Sequence, residues 1–289
     1  MIVSASYRTD IPAFYGKWFM NRVNAGYCEV KNPYSGKINK VSLLIKDVDA
    51  FIFWTKNLAP FYKNLITLNK QGYRFLVHYT INNYQKEIEK NLPLLEKHIS
   101  CLIRFSKDFG KNSIIWRYDP IVISSITDIN WHKENFEKLA RKIAGYVDEV
   151  IVSFMCFYKK IESRLMMAGD MNNINFYDIS IQEKKNLLHN FIEIAKKYSI
   201  KVSVCSQPDL TKEDIRPASC INAEKINEII TVPVKIKIVG NRPGCLCQES
   251  RDIGSYDSCP IGCIYCYANK SFPFSLENLK NHDPESTMI

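Results

Sequence analysis

Seven short runs of β-branched and aromatic residues recur along this chain, with helix-patterned stretches between them. That alternation restricts the fold more than any other feature. The runs are Ile2–Tyr7, Ala50–Trp54, Tyr73–Thr80, Ser113–Tyr118, Glu149–Met155, Lys201–Cys205 and Val234–Val239. Each is apolar almost throughout rather than alternately polar, as expected of strands buried on both faces of a parallel sheet covered by helices. The spacing predicts a (β/α) barrel, complete, incomplete or circularly permuted, with a doubly wound open sheet as the alternative.

The intervening stretches carry readable ends. Ser180-Ile181-Gln182-Glu183 is a capping box opening a helix to about Tyr198. Gly72, Gly110 and Gly145 each follow a helical pattern and precede a strand. Tyr27–Asn32 and Lys37–Leu43, joined by Pro33-Tyr34-Ser35-Gly36, predict a hairpin inserted after the first helix. A second helix is expected over Leu276–Lys280, and Phe157–Asp178 is expected to form either a mobile lid or an ordinary surface loop. The expected organisation is a barrel body over 1–240, with the hairpin near 27–43, and a cysteine-rich cap over 241–289.

Barrel enzymes place their chemistry at the C-terminal ends of the strands. Here those ends carry Arg8, Asp10, Lys56, Asn57, Arg117 and Asp119, which are the candidates for lining a catalytic pocket. For any single one of them, ordinary turn chemistry is an equal explanation, as at Asp119-Pro120. As a set they favour a shared polar pocket. His78 lies inside a strand and reads as a satisfied core histidine.

Ten cysteines sit in a chain of 289 residues, and seven of them fall from Cys205 onward. The opening residues Met1–Arg8 carry no charged leader and no apolar segment, so metal ligation in a reducing cytoplasm is expected rather than disulfides. No apolar run reaches the ~18 residues that would suggest a membrane span. The net charge of +9 hides an uneven spread: from Cys205 onward there are nine Lys and Arg against eleven Asp and Glu. The excess of lysine upstream suits exposed helix faces better than a nucleic-acid footprint. P-loop and GxSxG patterns are absent, which argues against phosphotransferase and serine hydrolase chemistry.

Cys259, Cys263 and Cys266 form a CxxxCxxC run with Tyr265 before the last thiol. Three thiolates on so tight a loop can bind three irons of a 4Fe–4S cluster and leave the fourth open. Zinc fits this run less well, since it needs a fourth thiolate that only Cys245 or Cys247 could supply. Cys205 ends one strand, Cys220 follows it, and Cys245 and Cys247 lie beyond the next, so their loops emerge at one rim of a barrel. These four thiols suit either a closed second 4Fe–4S cluster or a zinc site. Cys28, Cys101 and Cys156 are isolated and are expected to be buried small hydrophobes.

The run Cys259–Cys266 resembles the cluster motif of radical S-adenosylmethionine (radical SAM) enzymes, including the aromatic residue. The wider chain resembles the domain-of-unknown-function family 1848. The segments that carry this are Ser4–Pro12, Phe53–Asn57, Trp116–Pro120, Asn241–Cys247, Glu249–Gly254 and His282–Ser286. The resemblance implies a 4Fe–4S cluster, S-adenosylmethionine at its open iron, Tyr265 packed beside the cluster or the adenine, and an electron-donating reductase such as a flavodoxin or ferredoxin. It names no substrate. Two departures stand out. The Gly-Gly-Glu run that holds the methionine amine in radical SAM enzymes is missing, and the motif lies at the end of the barrel rather than its start. A circular permutation would explain the second, with Val234–Val239 running beside Ile2–Tyr7. The rival expectations are a non-enzymatic iron–sulfur electron carrier or redox sensor, and a zinc-stabilised nucleic-acid-binding protein.

Overall fold

The computed structural model describes residues 1–211, 214–240 and 242–289; Asn241, at the head of one of the segments quoted above, lies outside the described residues. Strands are β1 (Ile2–Ala5), β2 (Tyr27–Lys31), β3 (Ile38–Ser42), β4 (Ala50–Thr55), β5 (Phe75–Thr80), β6 (Ile114–Ile121), β7 (Glu149–Phe154), β8 (Lys201–Val204), β9 (Arg216–Pro217) and β10 (Arg251–Asp252). Helices are α1 (Ile11–Phe14), α2 (Gly16–Ala25), α3 (Tyr62–Lys70), α4 (Leu95–Phe109), α5 (Ile129–Ile143), α6 (Lys159–Asn172), α7 (Ile181–Lys196), α8 (Ala223–Asn227) and α9 (Phe272–Asn281). Among the described residues β1 and β4–β10 make one eight-stranded parallel sheet, ordered β10-β1-β4-β5-β6-β7-β8-β9. Six of the seven expected strands are present, with ends shifted by a few residues. The hairpin, the capping box at Ser180 and Glu183, and the final helix also form.

Alternation along the strands sorts their side chains to two faces. Phe51 and Phe53, Phe75 and Val77, Trp116 and Tyr118, and Val150 and Val152 belong to the larger core, with Phe19, Phe105, Phe136 and Phe191 from α2, α4, α5 and α7. The residues between them, Ala50 and Ile52, Leu76, Ile115 and Ile151, face a smaller core completed by Cys205, Cys220, Ile221, Ile226 and Cys247. Both faces of the strands are therefore covered, which is why their sequences carry no polar alternation. Among the described residues no helix is long and apolar enough to cross a membrane.

Two expectations need correction. Val234–Val239 forms no strand; it makes only an isolated bridge between Ile238 and Gln248, and Ile238 and Val239 are exposed. The place beside β1 is taken by β10, through Val3–Arg251 and Ser4–Asp252. Phe157–Asp178 is not a loop over most of its length: α6 occupies it, with Ile161 and Leu165 buried against Ile88, Val122 and Tyr265.

The sheet is not closed by a ladder between its edge strands β9 and β10. Hydrogen bonds nevertheless cross from one edge region to the other. Gln248 N donates to Ile221 O at 3.0 Å, and Ser219 Oγ donates to Leu246 O at 2.9 Å.

Asp252 fastens the β1 edge. Its carboxylate accepts from Ser6 Oγ, Tyr7 N, Arg8 Nε and Nη2, and Gly254 N at 2.8–3.1 Å. Gly254 passes so close to β1 that a Cβ there would lie 2.0 Å from Ser6 Oγ and 2.4 Å from Ser6 Cβ. Gly254→Ala is expected to push the two strands apart and lower stability by about 2 kcal/mol. An unchanged denaturant midpoint would contradict this close seating.

Candidate functional site

The smaller face changes character along each strand. Ile52 is followed at alternate positions by Trp54 and Lys56, Leu76 by His78, Thr80 and Asn82, Ile115 by Arg117 and Asp119, and Ile151 by Ser153. The parallel register sets Trp54 beside His78 and Thr80 beside Arg117. Apolar residues therefore fill the strand starts, and a polar set gathers at the C-terminal ends.

The charges in that set are paired. Lys56 Nζ lies 2.7 Å from Glu89 Oε1, with the Glu89 side chain only 1% exposed. Glu89 also accepts from Asn82 Nδ2 at 3.0 Å and from the Tyr265 hydroxyl. Burial disfavours the Lys56 ammonium, but Glu89, with Cys263 and Asp119 nearby, outweighs it and raises the lysine pKa. Asn82 and Asp119 bond reciprocally: Asp119 N donates to Asn82 Oδ1 at 2.8 Å, and Asn82 Nδ2 donates to Asp119 O at 3.1 Å. The Asp119 carboxylate accepts from Arg117 and Ser153. Burial alone would raise its pKa; the Arg117 charge and these hydrogen bonds overcome it and hold the pKa low.

Asp10 has a different role. It caps α1 through Ala13 N at 2.9 Å and accepts from Lys56 N at 2.7 Å, and burial lifts its pKa to about 6 despite those donors. Arg8 is bound to Asp252 and lies over the Tyr256 ring. Lys56, Arg117, Asp119 and Tyr265 are thus joined in one network, while Asn57 lines a separate cavity of about 180 Å³ with Pro60, Tyr79 and His98.

The cysteine loop is built onto this network. Residues 88–91 run against residues 261–264: Ile264 N donates to Ile88 O at 3.1 Å, Asn91 N to Ile261 O at 3.0 Å, and Glu89 pairs with Cys263. Gly262 turns the loop at a φ of +81°, a conformation that a side chain resists. Arg164 on α6 donates to the carbonyls of Ile264, Cys266, Asn269 and Lys270, and Asn269 Nδ2 donates to Cys259 O. Cys259, Cys263 and Cys266 are half-buried. Burial raises the Cys259 thiol pKa, and the charges of Asp10, Cys266 and Cys263 add to the rise. Burial raises Cys263 as well, against the pull of Lys56.

Cys205 and Cys220 are in contact, Sγ to Sγ 3.6 Å, and Cys247 N donates to Cys245 Sγ at 3.5 Å. Among the described residues no three His, Cys, Asp or Glu side chains stand ready-placed around one metal ion. His78 is a core histidine only half satisfied: it is fully buried, stacks on Trp54 at 5.0 Å and bonds through Nε2 to Cys220 O, but its buried Nδ1 has no hydrogen-bond partner among the described residues. Cys28 is buried and Cys101 half-buried, but Cys156 is exposed, against expectation, because it lies just past the end of β7.

Sequence reasoning missed Glu89, Asn82 and Ser153, and singled out Arg164 only as part of the Phe157–Asp178 stretch. It quoted Asp252 only as part of the Glu249–Gly254 segment. The period of two past the apolar strand positions was the available signal for Asn82 and Ser153. Nothing local marks Glu89, which sits in the charged run Gln85–Lys90.

No curated protein and no solved structure matches the chain. The family model described as a domain of unknown function (DUF1848) matches residues 2–268, and the chain belongs to that family.

Proposed function

We propose that this protein is an iron–sulfur enzyme of the radical SAM type, in which Cys259, Cys263 and Cys266 hold a 4Fe–4S cluster. The observation that carries the reading is the loop itself. It carries three thiols within the eight residues Cys259–Cys266 and is paired against residues 88–91, beside the polar ends of a parallel sheet, where α/β folds bind their ligands. The donor set fits the group: three thiolates satisfy three irons and leave the fourth for S-adenosylmethionine. Such a cluster, when bound, supplies the electron for reductive cleavage of S-adenosylmethionine.

The remaining work falls to the chain's own residues. Arg164 fixes the backbone of the loop through four carbonyls. Lys56 places a positive charge beside Cys263, offsetting the burial of an anionic thiolate. The Tyr265 hydroxyl is committed to Glu89 and its ring packs with Ile88, Ile161 and Leu165, which braces the loop between the second and third thiols. Arg117 and Asp119 hold each other at the strand ends with Ser153 and Asn82, a preorganised polar wall for the substrate. An electron donor such as a flavodoxin or ferredoxin is required, in a reducing cytoplasm.

We also infer that the sheet is a (β/α) barrel in permuted order, with the cysteine loop capping its C-terminal rim. The hydrogen bonds between residues 219–221 and 246–248 support the closure, and β10, the strand before the motif, supports the permutation by lying beside β1.

The test is electron paramagnetic resonance on anaerobically reconstituted, dithionite-reduced protein. A reduced-cluster signal is expected that shifts when S-adenosylmethionine is added and disappears in Cys263→Ser. A signal indifferent to S-adenosylmethionine would sink the enzyme reading in favour of an electron carrier, and absence of iron would sink both.

A further inference from the structure

We propose that Cys205, Cys220, Cys245 and Cys247 close around a single zinc ion, forming a second metal site inside the smaller core. Three separate segments deliver these thiols: Cys205 follows β8, Cys220 follows β9, and Cys245 and Cys247 lie on the approach to β10. Cys205, Cys220 and Cys247 are 3–5% exposed. They share an apolar cluster with Ile2, Ile52, Leu76 and Ile226, with Cys245 packed against it. Cys205 Sγ lies 3.6 Å from Cys220 Sγ, Cys247 N donates to Cys245 Sγ at 3.5 Å, and the Gln248 N to Ile221 O hydrogen bond at 3.0 Å ties the segment of Cys247 to that of Cys220.

Spacing selects the ion. Zinc binds thiolates at about 2.3 Å, so two sulfurs on a tetrahedral site stand about 3.8 Å apart. Cys205 and Cys220 are already at 3.6 Å. A disulfide would need about 2.05 Å. A cubane would attach each thiolate to a different iron and spread the sulfurs further apart.

The charge that such a site would bury is also matched. Four thiolates on a divalent cation leave a net charge of −2, costly to bury unless it is compensated. Arg117 Nη1 donates to Cys220 Sγ at 3.0 Å, and Arg242 Nη2 approaches Cys205 Sγ at 3.7 Å. Two guanidinium groups therefore already face the sulfurs that would carry the charge. Closing the tetrahedron requires the Cys245 and Cys247 side chains to turn inward. They sit in a segment with no regular secondary structure between Gly244 and Gln248, the part of the cluster best able to make that adjustment. Zinc binding releases the thiol protons as it orders this segment.

The experiment is metal analysis of the full chain, purified from zinc- and iron-supplemented cultures, combined with X-ray absorption at the zinc edge. About one zinc per chain is expected, with four sulfur neighbours. The zinc should remain in the triple variant Cys259→Ser/Cys263→Ser/Cys266→Ser and fall at least tenfold in Cys205→Ser/Cys247→Ser. The triple variant separates this site from the cluster reading, so either can fail alone. Should the double variant not fold, the sulfur count on the unmodified protein still decides. A zinc shell with nitrogen or oxygen neighbours would overturn the proposal. So would iron in place of zinc in the triple variant, a Cys205–Cys220 disulfide, or zinc that survives loss of Cys205 and Cys247.

Discussion

Lowering the pH from 6.5 to 4 is expected to strip this protein of about 6 kcal/mol of stability, enough to unfold an ordinary domain. The effect comes from imidazoles buried in their neutral form. His132 is fully buried, with Nε2 on Val122 O at 2.9 Å and Nδ1 against the Tyr118 hydroxyl at 2.7 Å. A carbonyl only accepts, so Nε2 carries the proton and Nδ1 accepts from the tyrosine. His98 repeats the arrangement with Tyr79 at 2.9 Å. Burial lowers both pKa values from 6.5 to about 4, and His78 falls further, to about 3, through burial and the charge of Arg117.

Between those values the unfolded chain binds more protons than the folded one, so stability is present above pH 6.5 and drains as the pH falls. Each histidine contributes about 3 kcal/mol across the window. Asp10 works the other way: its pKa is raised from 3.8 to about 6, so acid relieves a buried carboxylate and returns about 3 kcal/mol. Denaturant midpoints measured from pH 7 to pH 4.5 should decline steadily, and proton NMR should show His98 and His132 untitrated at pH 6. A flat profile, with both rings titrating near 6.5, would mean that they are not held neutral in the core.

Lys56→Met is expected to destabilise the fold by about 3 kcal/mol, because it strands Glu89 in the interior with only neutral donors. Met matches the length of the lysine stem, so the loss reports charge rather than volume. The double variant Lys56→Met/Glu89→Gln should recover most of that loss, since Gln can still accept from Asn82 and Tyr265. Chemical denaturation of the two single variants and the double variant, read as a mutant cycle, checks the coupling. A Lys56→Met protein within 0.5 kcal/mol of wild type, as an order-of-magnitude threshold for exposed pairs, would show that solvent, rather than Lys56, neutralises Glu89.

The fold was legible wherever burial on both faces left a continuous apolar run, as at Phe75–Thr80, whose six residues are all buried. It was illegible where β-propensity and burial part company. Val234–Val239 has the composition of a strand, but the edge beside β1 is held by Arg251 and Asp252, two polar residues too few to show any period. Propensity describes what fits a half-buried pleat; it does not say which segment reaches the vacancy first. The site divides in the same way. Lys56, Arg117 and Asp119 were readable because they continue the alternation of buried strands past their apolar positions. Glu89 was not, because Gln85–Lys90 looks like the exposed face of a helix, and only the pairing of residues 88–91 with 261–264 turns it inward. The helix at Lys159–Asn172 was missed because exposed Met166, Met167 and Met171 weaken its amphipathic pattern.

The pairing of β1 with β10 also sets an order of events during synthesis. Ser4 leaves the ribosome early, yet its partner Asp252 follows only when most of the chain has been made. Until then the first strand has β4 on one side and nothing on the other, and Ser6, Tyr7 and Arg8 lack the carboxylate that will gather them. The thiols of residues 259–266 emerge later still. A nascent chain can therefore assemble the middle of the sheet as it grows, but the long-range closure waits for the final segment. The loop that carries those thiols is therefore seated late, on a body already largely formed.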